Sequence, residues 1–175
     1  MDSTCIAIIV ILVILVGLSA WCSSTETAYS SVNKVRLKNK AEDGNPRAQN
    51  ALDLLEKYDK VLSCILIGNN IVNLSASSLG TVLFTKLLGP VYGPAASTVV
   101  LTIIVLIFGE ITPKTLANDQ AETFCMRAAP ALRVCLVILT PLHLFFSLFQ
   151  KAAIRLFRSS EEEGITEEEL ITMVE

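Results

Sequence analysis

Three short polar clusters hold the side chains of this sequence that could do chemistry. In chain order they are Ser19–Thr27, Gly68–Asn73 and Gly109–Lys114. Their hydroxyl, amide, carbonyl and carboxylate oxygens are hard ligands, which suit Mg2+, Ca2+ or Na+ and suit Zn2+ or Cu+ poorly. The residue types therefore favour the binding of a hard cation.

Enzymatic and soft-metal chemistry find little support in the same sequence. It has no Ser/His/Asp arrangement, no HExxH motif and no phosphate-binding glycine loop, and an intramembrane hydrolase that uses Glu110 is the weaker alternative. The five cysteines form no CxxC pair, which predicts neither a disulfide nor a zinc site. We interpret His143, the single histidine, as an interfacial residue rather than a ligand. We expect no enzyme activity.

Membrane-spanning helices must position these clusters. Hydrophobic residues make up 52% of the 175 residues and charged residues 18%, which is too apolar for an ordinary soluble domain. A spanning helix needs about 20 residues, and three stretches qualify, at about residues 5–30, 60–88 and 94–114. The first has neither the basic start nor the clear cleavage site of a signal peptide, so we expect it to be retained.

Polar clusters inside these spans would be costly against lipid, so we expect them to face one another or a water-filled cavity. Ser19 and Ser23 lie four residues apart on one helix face, and helix packing is the alternative role for them. The segment Gly68–Asn73 holds three asparagines beside a glycine. For it we predict a locally unwound helix with inward-pointing oxygens, and interhelical hydrogen bonding is the alternative.

The third cluster, Gly109–Lys114, ends the third span with a glycine, a carboxylate and a proline. Pro113 has no N–H, so it leaves a backbone carbonyl unpaired, while Glu110 brings a negative charge to the end of an apolar helix. Lys114 follows Glu110 by one helical turn, so an internal ion pair between these two side chains is the alternative interpretation.

The charges outside the spans predict a topology. Residues 32–59 are rich in lysine and arginine and are predicted to form two helices separated at Asp43–Pro46, whereas Gly89–Pro94 is predicted to be a short loop. The positive-inside rule assigns the basic segment to the cytoplasm and the loop to the outside. We therefore expect a multi-pass protein of the cell membrane with its N-terminus outside and its C-terminus in the cytoplasm.

Residues 118–158 follow a different pattern, because basic residues interrupt the apolar runs and Pro130 and Pro141 are predicted to break the helix. We favour juxtamembrane helices in the cytoplasmic interface, with phenylalanines turned to lipid, over a fourth span at residues 134–149. Residues 159–175 form an acidic linker in which Thr166 and Glu169 make a capping box. The predicted fold is an all-α integral membrane domain over residues 1–158, with three spanning helices per protomer and a cytoplasmic belt of juxtamembrane amphipathic helices.

Four motifs together carry a family resemblance. In chain order they are LSAWCSSTETA from Leu18, NKVRL from Asn33, IGNNIVN from Ile67 and GEITPK from Gly109, and they resemble the transmembrane domain of the CorC/CNNM family of magnesium transport proteins. The match spans nearly the whole chain, although Trp21–Cys22 departs from the aromatic pair usual at that place. The resemblance implies Mg2+ export, with Na+ as the coupling ion, by a homodimer in the lipid bilayer.

The resemblance also implies which residues bind the metal. The implied ligands are Ser19, Ser23, Asn70, Gly109 through its carbonyl, and Glu110. Asn69 and Asn73 would support a bend in the second span, and rocking around Pro113 and Gly68 would open the site to either side. Such proteins continue into a CBS-domain pair that binds ATP, so we expect ATP only through a module absent from this chain, and we expect no nucleic-acid partner.

Two rival functions stay open at this point. The first is a membrane Mg2+ sensor or scaffold, which would bind the ion without transporting it. The second is a purely structural anchor, for which Ser19, Asn70 and Glu110 would have no role in ion handling.

Overall fold

The computed structural model describes the backbone of residues 2–158 and their side chains, except those of His143 and residues 150–158. The elements in chain order are α1 (Ser3–Ser31), α2 (Lys34–Glu42), α3 (Pro46–Leu55), α4 (Tyr58–Ile104), a π-helix (Val105–Ile111), α5 (Thr112–Asp119) and α6 (Ala121–Arg158). The described residues contain no strand, so the all-α prediction is confirmed for them. The acidic linker with its capping box, and the interfacial role of His143, lie outside the described part.

Helix α1 exposes its apolar half and buries its polar half. Val10 and Val13 are 53% and 68% exposed, whereas Ser19, Ser23 and Thr25 have no exposed surface. A helix in water would show the opposite distribution, with its hydroxyl groups exposed and its apolar side chains buried. Lipid solvates apolar side chains and cannot satisfy hydroxyl groups. Its 29 residues extend about 43 Å, which is enough to cross a bilayer.

Helix α4 is a hairpin of two arms. Its 47 residues would extend about 70 Å if straight, more than twice the hydrocarbon thickness of a bilayer. Gly89, with φ 81° and ψ 170°, adopts a conformation that L side chains rarely reach, and the chain folds back there. Pro90 begins the second arm, where its missing N–H costs no hydrogen bond. The predicted loop over residues 89–94 is therefore wrong in length, since a single non-helical residue makes the turn.

The two arms of α4 approach closely at glycines. A methyl group on Gly80 would overlap the Leu101 side chain and would lie 3.1 Å from Ser97 Oγ. A methyl group on Gly93 would lie 2.5 Å from the Cα atom of Thr85. Small residues at a helix interface allow backbones to come together, which is how helices associate where lipid removes the hydrophobic driving force.

The segment Gly68–Asn73 is regular helix, so the predicted local unwinding is wrong. Gly89 is the one residue of α4 with non-helical dihedral angles. An unwound turn would leave carbonyl groups unpaired at bilayer depth, at a cost of several kcal/mol each. The lower helix propensity of asparagine costs less than about 1 kcal/mol per residue, so the helix is retained.

Helices α2 and α3 form the predicted helical pair, and the predicted break between them is confirmed. Gly44 turns the chain with φ 84°, and the Asn45 side chain accepts hydrogen bonds from the backbone N–H groups of Arg47 and Ala48. Pro46 occupies the first turn of α3. An asparagine cap followed by proline is a strong helix start signal, which explains why this boundary was predictable.

The first part of α6 packs on this helical pair and on the end of α1. Their buried side chains form one apolar cluster, which includes Tyr29, Leu37, Ala48, Leu54, Cys125 and Leu132. Ion pairs tie the elements together at its edge. Lys40 Nζ lies 2.5 Å from Glu122 Oε2, and Arg133 Nη2 lies 2.6 Å from Asp53 Oδ2.

Helix α6 is continuous, so the predicted breaks at Pro130 and Pro141 are wrong. A proline removes one backbone hydrogen bond, while the remaining bonds hold a long helix together in an apolar environment. Ala121–Leu142 is long and apolar enough to cross a membrane, as are α1 and the stretch Tyr58–Asp119, which contains the hairpin. The interfacial belt therefore stays a prediction.

The chain divides into two compact units, residues 1–139 and 140–175. In the described part of the second unit the rings of Phe145 and Phe146 meet edge to face, with centroids 5.7 Å apart. Both rings and that of Phe149 are exposed, as expected of side chains that meet lipid.

The close approach of the α4 arms yields a stability prediction. In Gly93→Ala the added methyl group meets backbone atoms of Thr85, which cannot rotate away. We expect the free energy of unfolding to fall by about 1–3 kcal/mol, measured as a lower Tm in detergent. Gly17→Ala is the matched control, because nothing lies within 4 Å of that position. Equal Tm values for the two variants would contradict the packing of the arms.

Candidate cation site

Helix α1, the first arm of α4 and the π-helix meet at Ser19. This side chain is fully buried, and its Oγ donates a hydrogen bond to Asn69 Oδ1 at 3.1 Å. Gly109 is buried against the same hydroxyl, since a methyl group there would lie 3.1 Å from Ser19 Oγ. The predicted site residues Ser19 and Gly109 are thus brought together, and the absence of a side chain at Gly109 makes this contact possible.

The third predicted span contains a π-helix over Val105–Ile111, which the sequence did not predict. In a π-helix each N–H bonds to a carbonyl five residues earlier, and such turns are frequent at functional sites. Pro113 in the first turn of α5 donates no N–H, so the helix loses a further backbone bond next to Glu110. The helix is therefore irregular within Gly109–Lys114, as the sequence indicated. The π-helix extends this irregular stretch beyond the residues that Pro113 alone would affect.

Ser23, one turn beyond Ser19, is fully buried, and its Oγ has no hydrogen-bond partner within the described part of the chain. Its neighbours differ: Ser24 Oγ donates to the Pro113 carbonyl at 3.2 Å, and Thr25 Oγ1 donates to the Trp21 carbonyl at 2.7 Å. A buried hydroxyl without a partner is costly, so it needs a ligand or a water molecule. The Ser23 hydroxyl oxygen is therefore a suitable ligand for a bound cation.

Glu110 is half-buried and lines a cavity of about 210 Å³ between the two arms of α4. Its carboxylate forms no ion pair with any described residue. Lys114, the predicted alternative partner, lies 3.8 Å from Glu26 instead, so the internal Glu110–Lys114 pair is not formed. An unpaired carboxylate among spanning helices is expensive and marks a functional position.

The three asparagines of α4 have different surroundings. Asn69 is buried and bonded to Ser19, whereas Asn70, the predicted ligand, is exposed on the single chain. Asn73 lines the Glu110 cavity, and its buried Oδ1 has no partner among the described residues. Asn73 was predicted only as a support for a bend, although its position four residues after Asn69 on the same helix face could have indicated an inward direction.

The remaining polar residues of the cavity were not predicted. Ser77 lies one turn beyond Asn73 on the first arm, and Thr98 and Thr102 lie one turn apart on the second arm. The signal that could have found them is this four-residue spacing of polar side chains in apolar helices. Within the described residues no group of three His, Cys, Asp or Glu side chains could hold a metal ion, so any cation there relies on neutral oxygens and one carboxylate.

Comparison with known proteins gives a consistent set of similarities. The family described as "Cyclin M transmembrane N-terminal domain" matches residues 10–175. A UPF0053 protein of Haemophilus influenzae is 40% identical over 168 residues, which cover 94% of this chain and 40% of that protein. The UPF0053 inner membrane protein YfjD of Escherichia coli K12 is 35% identical over 161 residues, 90% of this chain and 37% of its own.

A more distant relative is named as an export protein. The polyamine export protein of Escherichia coli K12 is 24% identical over 181 residues, which cover 95% of this chain and 40% of that protein. The chain spans about two fifths of the length of the curated relatives that it matches.

The Ser19–Asn69 contact can be tested by substitution. Ser19→Ala removes the donor and leaves the buried Asn69 oxygen unsatisfied, so we expect the free energy of unfolding in detergent to fall by about 1 kcal/mol. Ser30→Ala is the control, because Ser30 Oγ is exposed and bonds only to the carbonyl of Thr27. A Tm for Ser19→Ala as high as that of Ser30→Ala would argue against the contact.

Proposed function

Because the chain belongs to the family of the cyclin M transmembrane N-terminal domain, we propose that it is the membrane domain of a cation transporter whose cargo is Mg2+. The observation that carries this proposal is the unpaired carboxylate of Glu110. It lies among spanning helices and lines the same cavity as Asn73, whose buried Oδ1 has no partner among the described residues. A cation in this cavity satisfies both groups at once.

The proposed ligands are those implied by the family motifs: Ser19, Ser23, Asn70, the Gly109 carbonyl and Glu110. Mg2+ requires six oxygens in near-octahedral geometry and releases its water reluctantly, so carbonyl and hydroxyl groups must replace part of its hydration shell. Asn70 is exposed in this conformation, so its participation requires a rotation of α4 or a different conformational state. Asn73 already offers an amide oxygen to the cavity beside Glu110.

Transport needs the site to open to each side of the membrane in turn. In the proposed mechanism the π-helix and Pro113 form the hinge, because the spacing of the backbone hydrogen bonds changes in the π-helix and Pro113 donates none. Gly68 was the second predicted hinge, but it lies in regular helix, so the proposal relies on the π-helix. Export coupled to Na+ entry, and assembly as a homodimer, are parts of the same proposal.

A second candidate cargo is an organic polycation. The polyamine export protein of Escherichia coli is a relative, and the Glu110 cavity has apolar walls at Leu101, Val105 and Leu106. A polyamine would place an ammonium group at the carboxylate and methylene groups along those walls. Mg2+ remains the first candidate, because the unsatisfied groups are hard oxygens without a second carboxylate for a second ammonium group.

Calorimetric Mg2+ titration of the purified chain tests the proposal. Glu110→Gln removes the negative charge with little change of shape, so we expect Mg2+ affinity to fall at least about tenfold, or ~1.4 kcal/mol. Glu56→Gln is the control, since Glu56 is exposed at the end of α3. Equal affinity in wild type and Glu110→Gln would contradict the proposal.

Flux into vesicles separates the rival functions. Wild-type protein that binds Mg2+ but moves none would be a sensor or scaffold. Spermidine that displaces Mg2+ from wild type, and is itself transported, would favour the organic cation. If Glu110→Gln changes neither the binding of Mg2+ nor the flux rate, the polar clusters have a purely structural role.

A further inference from the structure

The cavity between the arms of α4 extends well beyond Glu110. It continues along the hairpin past Asn73, Ser77 and Thr102 to Thr98. Glu110 and Thr98 are separated by about 18 Å of helix, on the basis of a rise of about 1.5 Å per residue. The cavity therefore leads from the proposed binding site toward the end of the hairpin that carries the Gly89 turn.

Two of the three hydroxyl groups along this cavity, those of Ser77 and Thr102, do not make the hydrogen bond usual in apolar helices. Serine and threonine in apolar helices commonly donate to the carbonyl four residues earlier, and here Ser63, Ser75, Ser78, Thr81, Thr98 and Thr115 do so. The hydroxyl groups of Ser77 and Thr102, which line the cavity, make no hydrogen bond within the described part of the chain. Together with the unpartnered Asn73 Oδ1, they present three free oxygen-bearing groups to the same space.

Free polar groups at this depth cannot face lipid without cost. Ser77 and Thr102 are exposed on the single chain, so either water or another protein surface must cover them. The single carboxylate at the inner end of the cavity attracts cations and repels anions. A water-filled passage satisfies the hydroxyl groups and the carboxylate together.

We infer that the part of the Glu110 cavity lined by Asn73, Ser77, Thr98 and Thr102, called the groove below, is a hydrated passage. Through it a partly hydrated cation moves between Glu110 and the membrane face at the Gly89 turn. The neutral oxygens replace some of the ion's water without binding it tightly, because they carry no charge of their own. This inference rests on the proposed function for the identity of the cation, while the presence of water in the groove can be tested without any transport.

Thiol accessibility provides that test. Ser77→Cys and Thr102→Cys are placed separately in the protein in vesicles, and a membrane-impermeant thiol reagent with a quaternary ammonium group is added at the face of the Gly89 turn. We expect both thiols to react at least about tenfold faster than that of Ile103→Cys, because thiols react as thiolates and these form in water rather than in lipid. Ile103 is the matched control, since it adjoins Thr102 in sequence and is 52% exposed on an apolar surface. The wild type, with four buried cysteines and one half-buried, gives the background rate.

Two further measurements make the result specific. Glu110→Gln in the Thr102→Cys background should slow the cationic reagent more than a neutral reagent of similar size, because the carboxylate attracts the positive charge. Equal rates for Thr102→Cys and Ile103→Cys would overturn the passage. So would disulfide formation between two copies of Ser77→Cys, which would show that a second chain covers the groove.

The outcomes also separate this inference from the proposed function. Fast reaction at both cysteines with no Mg2+ binding or flux in wild type would support a hydrated groove and contradict the Mg2+ assignment. Mg2+ flux that depends on Glu110, together with unreactive cysteines, would support the transporter and overturn the passage.

Discussion

The structure depends on one constraint: inside a bilayer no water is available to satisfy a polar group. The helices satisfy it by pairing backbone groups within themselves and by directing many hydroxyl groups to carbonyls of the preceding turn. Helix α1 satisfies it by burying Ser19, Ser23 and Ser24 and leaving most of its valines and isoleucines outside. Against this background, a polar atom that stays unsatisfied is informative. The oxygens of Ser23 and Asn73 and the carboxylate of Glu110 are the ones that bear on function.

The same constraint explains the role of the π-helix. A transporter needs a place where a spanning helix can change its path, and every such change interrupts backbone hydrogen bonds. The chain concentrates such changes in the π-helix Val105–Ile111, where the hydrogen-bond spacing differs, and at Pro113, which donates no N–H, close to Glu110. Nearby contacts hold this region in place, since Ser24 bonds to the Pro113 carbonyl and Lys114 pairs with Glu26. Lys114 is thereby kept from neutralising Glu110, which leaves the carboxylate available to a cation.

The sequence predicts a large part of this arrangement and fails at identifiable points. Apolar runs and helix signals such as Asn45–Pro46 predict the helices, because these signals are local. Whether Asn69, Asn70 or Asn73 turns inward depends on how α4 rotates against α1, and that rotation is set by the contact of Ser19 with Asn69 and Gly109. The π-helix and the Lys114–Glu26 pair are likewise tertiary effects. The continuity of α6 was mispredicted because the weight given to Pro130 and Pro141 suits helices in water better than helices in an apolar environment.

The central claim is that Glu110 is the charged ligand of a cation among the spanning helices, and locating the ion tests it most directly. Crystals of the chain grown with Mn2+, an anomalous scatterer with ligand preferences close to those of Mg2+, would reveal the ion's position. The account predicts an anomalous peak within about 2–2.3 Å of a Glu110 carboxylate oxygen, with hydroxyl or amide oxygens completing the shell. A peak only at the ion pairs of Glu122 or Asp53, outside the spanning site, would contradict it.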